Sequence, residues 1–279
     1  MLNIRQGRMA AFALAIASGG AIAAPAAATT LEITITNNAP IGGFAITPLF
    51  GAFHDGSYDP FDVGSAASAG LQSIAELGDV SGLPGELAAA DPNATSVVIA
   101  APQSGPPTID PGESTSVTIT LNPTEELYFS FLSMIVPSND TFLGSDDPTA
   151  HQLFDSAGLY TGDVTIDVTG SFLFDAGTEV NDPLRGPAFV IGQEATAGAA
   201  ENGTVQRASS LLDFAGVQTP LGPLDGGLID FTANPGAFSI ATITISQVAP
   251  VPLPATGLLL LGGFAVLGAS RMKRRKART

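Results

Sequence analysis

The chain has no cysteine and no tryptophan, only two histidines and three tyrosines, and between residues 9 and 270 only two positively charged side chains. Each scarcity excludes something. Without cysteine there are no disulfides, no thiol nucleophile and no thiolate-held zinc. A domain of this length buries its core without such staples. Neither His54 nor His151 sits in an H-E-x-x-H pattern, and there is no G-x-S-x-G elbow and no phosphate loop. Sugar clefts commonly stack their ligands on Trp and Tyr, so the aromatic shortage weakens a glycosidase. The 26 acidic residues nevertheless offer many carboxylate pairs. The expectation is a protein that is not an enzyme. The alternative that stays open is a carbohydrate-active or polymer-trimming hydrolase using a carboxylate pair.

The shortage of positive charge is regional. Arg5 and Arg8 stand at the N-terminus, and six basic residues crowd the last nine positions. Between them lie only Arg185 and Arg207, against 26 acidic residues, a formal net of −24. Such a surface repels nucleic acid, whose binding needs Lys and Arg against phosphate. It repels anionic lipid, stays soluble at high ionic strength and attracts divalent cations.

Both ends read as processing signals. Arg5 and Arg8 precede an apolar stretch over 9–24 that ends in small residues, the order of a secretory leader. Cleavage after Ala23, Ala24 or Ala28 would suit it, and we set residues 1–28 apart as signal peptide. At the other end stand Val251, Pro252, Leu253, Pro254 and Ala255, then an uncharged apolar run over 256–270, then Arg271, Lys273, Arg274, Arg275, Lys276 and Arg278. The prolines hold the chain extended, as a protease or transpeptidase site requires. The basic tail would keep its end in the cytoplasm. Fifteen helical residues cover roughly 22 Å, short of a hydrocarbon core of about 30 Å, and four glycines weaken that helix further. A temporary anchor tolerates both. This tail resembles the VPLPA-type branch of the PEP-CTERM sorting signals. The resemblance implies an exosortase-type membrane enzyme as partner, transient anchoring in the inner membrane, then a place at the cell surface or outside the cell.

The body, residues 29–248, reads as all-β. Apolar and polar residues alternate over 31–36, 95–100, Ser114–Leu121, 127–136, 163–169 and 238–246, rich in Val, Ile, Thr and Phe. That period predicts antiparallel sheets packed as a β-sandwich. Ala67, Leu71, Ile74 and Ala75 predict one helix over 66–77, with Ser65 as N-cap and Gly78 as stop. A second short turn is expected over 85–90. The stretch 178–227, with much Gly, Ala, Asn and Pro, reads as long loops with a short strand over 188–191.

Three segments carry a family resemblance: 54–64 (HDGSYDPFDVG), 133–144 (SMIVPSNDTFLG) and 175–179 (DAGTE). Together they resemble the spondin N-terminal domain in its bacterial form. The resemblance implies a C2-like β-sandwich and one structural calcium ion, with Asp140, Asp175 and Glu179 as ligands. Glu179 stands where the animal members carry aspartate. The chemistry agrees, since calcium takes six to eight oxygens from carboxylates, carbonyls and water. Gly177 would turn the chain between Asp175 and Glu179. The competing reading is that Asp140 and Asp175 bond backbone amides of their own loops. In the first segment, Asp55, Asp59 and Asp62 beside His54 suggest turns, or less favourably a second cation site. The function implied is calcium-stabilised adhesion or association with extracellular polysaccharide, matrix or biofilm.

Overall fold

The computed structural model describes residues 27–101 and 107–249. Thirteen strands follow in chain order: β1 (Thr29–Asn37), β2 (Ala45–Ile46), β3 (Leu49–His54), β4 (Thr95–Ile99), β5 (Ser114–Leu121), β6 (Tyr128–Val136), β7 (Thr141–Gly144), β8 (Val164–Thr169), β9 (Leu173–Asp175), β10 (Gln206–Arg207), β11 (Gln218–Thr219), β12 (Gly222–Pro223) and β13 (Ser239–Gln247). Three helices join them: α1 (Ala69–Leu77), α2 (Leu83–Ala90) and α3 (Gly226–Ile229). The chain is all-β, as its alternation predicts.

Of the two large sheets one runs β5-β1-β13-β8 and the other β10-β9-β7-β6-β3-β4, with β2 also on β6, while β11 and β12 form a separate two-stranded sheet; every pairing is antiparallel. In the first sheet, Leu31, Ile33 and Ile35 turn inward beside Ile243 and Ile245, while Glu32 and Thr244 face solvent. The inward residues meet Phe53, Phe129, Phe131, Leu143 and Leu173 of the second sheet. This sheet-on-sheet core is the main one.

The second sheet is covered on its other face too. Phe50, Leu132, Phe142 and Phe174 pack there against Leu71 and Ile74 of α1, Leu83 and Leu87 of α2, and Tyr58 and Phe61 of the loop after β3. Burial on both faces removes alternation and leaves continuous apolar runs. β3 and β7 are buried along their whole length.

α1 starts three residues later than the sequence suggests. Ser68, not Ser65, accepts the Leu71 amide as N-cap, and Gly78 ends the helix at φ 66°. The Glu86 carboxylate of α2 binds the Gly70 amide and the Ser68 hydroxyl, fastening the two helices. The strand expected over 188–191 does not form. Only Ala188 bridges, to Ser138, and Phe189 sits at φ 66°, a left-handed conformation that no strand continues through. Among the described residues no helix is long and apolar enough to cross a membrane. Most of the expected leader, the 251–255 motif and the apolar run after it lie outside the described residues.

Candidate functional site

The site lies where the turn from β6 to β7 meets the loop that leaves β9. Thr141 pairs with Asp175 across β7 and β9, which brings Asp140 alongside Asp175 and Ala176. The Ala176 amide donates to the Asp140 carbonyl at 3.1 Å. The turn itself is closed by Ser138, whose hydroxyl donates to the Ile135 carbonyl at 2.6 Å and accepts the Thr141 amide. Ser138, Asn139 and Asp140 are all wholly buried.

Asp140 uses its two oxygens unequally. Oδ2 accepts the Thr178 amide at 2.8 Å, the Thr178 hydroxyl at 3.2 Å and the Glu179 amide at 3.0 Å. Oδ1 is buried without a hydrogen-bond partner. Burial, followed by the negative charge of Asp175, pushes the Asp140 carboxyl up to about 7, although the three hydrogen bonds favour the ionised form. Desolvation and like charge outweigh them.

Asp175 ends β9. Its Oδ1 accepts the Gly177 amide at 2.8 Å, and its Oδ2 accepts the Asn181 side-chain amide at 2.6 Å. Glu179 is buried, with Oε2 unpartnered. Its carboxyl is raised by burial and by Glu76 of α1, and an Asn139 hydrogen bond opposes that shift. The carboxylate lies against Gly198, so close that a side chain at that glycine would overlap it. The structure thus brings Asp140 and Asp175 together, and turns the Glu179 carboxylate towards Asn139. Among the described residues no three Asp, Glu or His side chains form a group able to hold a metal. Asp140 and Asp175 are the two carboxylates brought together, and Oδ1 of Asp140 is a buried oxygen without a hydrogen-bond partner.

Two further residues hold this arrangement, and both lie inside the segments that carry the family resemblance, Asn139 in 133–144 and Thr178 in 175–179. Asn139 receives the Asp182 amide at 2.9 Å and donates to the Arg185 carbonyl at 3.0 Å, so one side chain ties down the loop after Glu179. Thr178 supplies two of the bonds to Asp140. Their place within those two segments is the cue the sequence holds; no ligand type or spacing marks them.

The 54–64 segment behaves as a structural loop. The Gly56 amide donates to His54 Nδ1 at 3.1 Å, which leaves Nε2 to donate to Ser130 Oγ at 3.0 Å. Burial lowers the His54 pKa, keeping the ring neutral. Asp55 Oδ1 accepts the Ser57 amide at 2.9 Å. Asp59 is raised by burial, then by Asp62, Asp146 and Asp147, so this loop faces the acidic turn after β7.

The Spondin_N family matches residues 37–201, more than half of the chain. The chain belongs to this family. The match takes in Asp140, Asp175 and Glu179, whereas Arg207 and β13, which pairs with β1 at the centre of the first sheet, lie beyond it. Spondin N-terminal domains are typically extracellular and generally non-enzymatic, and membership points to an extracellular, adhesion-type domain. Among curated proteins nothing matches.

Proposed function

We propose that this spondin-type chain is exported and works without catalysis at the cell surface or in the surrounding matrix, in adhesion or in association with an extracellular polymer. One structural calcium ion stiffens the end of the sandwich. Asp140 and Asp175 hold it, with Glu179 as the third carboxylate and carbonyls or water completing the shell. The observation that carries this reading is the wholly buried, unpartnered Oδ1 of Asp140 beside a second carboxylate. A buried charge left in that state is costly unless a cation neutralises it. The ion supplies charge and oxygen coordination, not chemistry. The Thr178 and Glu179 amides keep Oδ2 fixed, so that Oδ1 is the oxygen presented.

Sorting completes the reading. Val251, Pro252, Leu253, Pro254 and Ala255 are the recognition motif for an exosortase-type membrane enzyme, and the apolar run after them is a transient inner-membrane anchor with its basic end in the cytoplasm. Fractionation of cells with and without the sorting enzyme tests this. The protein is expected at the surface or in the medium of complete cells and in the inner membrane of deficient ones. An identical distribution in both strains would overturn the sorting role.

A further inference from the structure

Arg207 is one of two cations between residues 9 and 270, and it stands between two adjoining cavities. It lies on β10, the edge strand of the second sheet, opposite Phe174 of β9. Its guanidinium carbon sits 4.6 Å from the centre of the Phe174 ring, within cation–π distance of the aromatic face. Its ion pair, to Asp146, is loose at 3.9 Å, and its side chain is 55% exposed. In a body with 26 acidic residues, this arginine keeps donors turned to the open.

One cavity, of about 360 Å³, is bounded by Arg207, Gln206, Asn181, Asp175, Glu201 and Ser209 among others. The other, of about 430 Å³, has Phe231 and Pro235 as apolar wall with Ser171 and Thr232. Arg207 and Ser209 belong to both. Each volume falls within the range of small-molecule sites, about 300–1,000 Å³. Side-chain donors (Arg207, Gln206, Asn181, Ser209) and acceptors (Asp175, Glu201) both line the first cavity. That is the complement of vicinal hydroxyls, each of which donates one hydrogen bond and accepts others. Phe231 is buried beneath the second cavity, and the exposed Pro235 ring suits the C–H face of a sugar. A small anion would find Asp175, Glu201 and Asp146 around the same guanidinium, within a body of net −24.

We propose that the two cavities are consecutive subsites for a neutral polysaccharide, with Arg207 at the junction donating to the hydroxyls of adjacent units. This rests on the matrix-association reading above and specifies its ligand class. The test uses the purified exported protein in calcium-containing buffer. Titration calorimetry with β-1,4-glucan, β-1,3-glucan, α-mannan and galactan hexasaccharides is expected to show saturable binding to at least one. Arg207→Gln and, independently, Ser209→Tyr should weaken that binding at least tenfold while each variant still melts in a single cooperative transition, whereas Arg185→Gln should leave it intact. Absence of binding to all four, or binding indifferent to both cavity variants, would overturn the proposal. So would tighter binding of a uronate hexasaccharide than of its neutral counterpart. Co-sedimentation of the wild-type protein with matrix from its own cells separates the two levels. If it co-sediments and the Arg207 variant does so equally, the matrix reading stands and the cavity assignment falls; if the wild type does not co-sediment, the matrix reading fails first.

Discussion

Oδ2 of Asp140 accepts the backbone amide of Glu179 at 3.0 Å, while Oδ1 of the same carboxylate is buried without a partner. One side chain therefore fastens the loop after β9 and, when ionised, leaves one buried oxygen uncompensated. Its carboxyl sits at about 7 against an ordinary 3.8, raised first by burial and then by Asp175. The protonated form is the one the fold prefers. Its contribution is fully present below pH 3.8 and is lost as pH rises towards 7. Each pKa unit is worth about 1.4 kcal/mol, so the ionised carboxylate costs the calcium-free fold up to a few kcal/mol.

Asp140→Asn should therefore change sign with calcium. Without calcium at pH 8, the neutral amide still accepts from Thr178 and Glu179 and removes the buried charge. The variant should melt higher than the wild type by about 1–3 kcal/mol of stability. With calcium it should melt lower. Chemical denaturation in chelator and in calcium checks both signs.

The calcium response itself should depend on pH. Calcium and the proton compete for Asp140, whose carboxyl titrates near 7. The calcium-induced rise in Tm should shrink clearly between pH 8 and pH 5.5, and calcium uptake near pH 7 should release protons. Thermal scans at the two pH values and calorimetry in buffers of different ionisation enthalpy measure these effects.

Gly177 is a backbone requirement of the site. It has φ 67°, and a Cβ there would stand 2.5 Å from the Thr204 carbonyl oxygen. Left-handed strain alone costs about 1–3 kcal/mol, and the backbone clash adds to it. Gly177→Ala should destabilise the fold by at least that amount and also blunt the calcium response, since Asp175 Oδ1 takes the Gly177 amide. Gly112 is also left-handed, at φ 81°, but has open space around it. Gly112→Ala should cost only the strain.

β1, β5, β8 and β13 were legible because one face of their sheet meets water. β4 and β6, expected over 95–100 and 127–136, also form, but in the second sheet, and β6 is buried along nearly its whole length, so there its richness in Phe, Ile and Val rather than alternation marks it. β3 was not legible: Leu49–His54 is buried on both faces, so Phe50 and Phe53 carry no period, and His54 reads as part of a loop when it is the last residue of a strand. β7 is hidden for the same reason. The predicted strand over 188–191 failed because Phe189 is left-handed and Ile191 is 64% exposed. The resemblance implied that Asp140, Asp175 and Glu179 stand close together, and the structure brings the first two side by side, Asp175 at the end of β9. The direction of the Glu179 carboxylate, towards Asn139, depends on packing against Gly198 from a distant loop, which no local pattern encodes.

Sorting makes a separate prediction. Intact-mass measurement of protein recovered from the cell surface or medium should show a chain that ends at or near the 251–255 motif. A chain that still ends at Thr279 would contradict transient anchoring.

Calcium-dependent unfolding of the purified body tests the central claim most directly. A ligand that binds only the native state stabilises it by about 2.7 kcal/mol at a hundredfold excess over Kd. Calcium should raise Tm at pH 8, and magnesium at matched ionic strength should do so poorly, since it demands a tighter octahedral shell. The Asp140→Asn and Asp175→Asn double variant should remain folded and lose the response. An equal shift with magnesium or sodium would mean simple screening of the −24 surface, and an undiminished calcium shift in the double variant would place the ion elsewhere; either result contradicts the account.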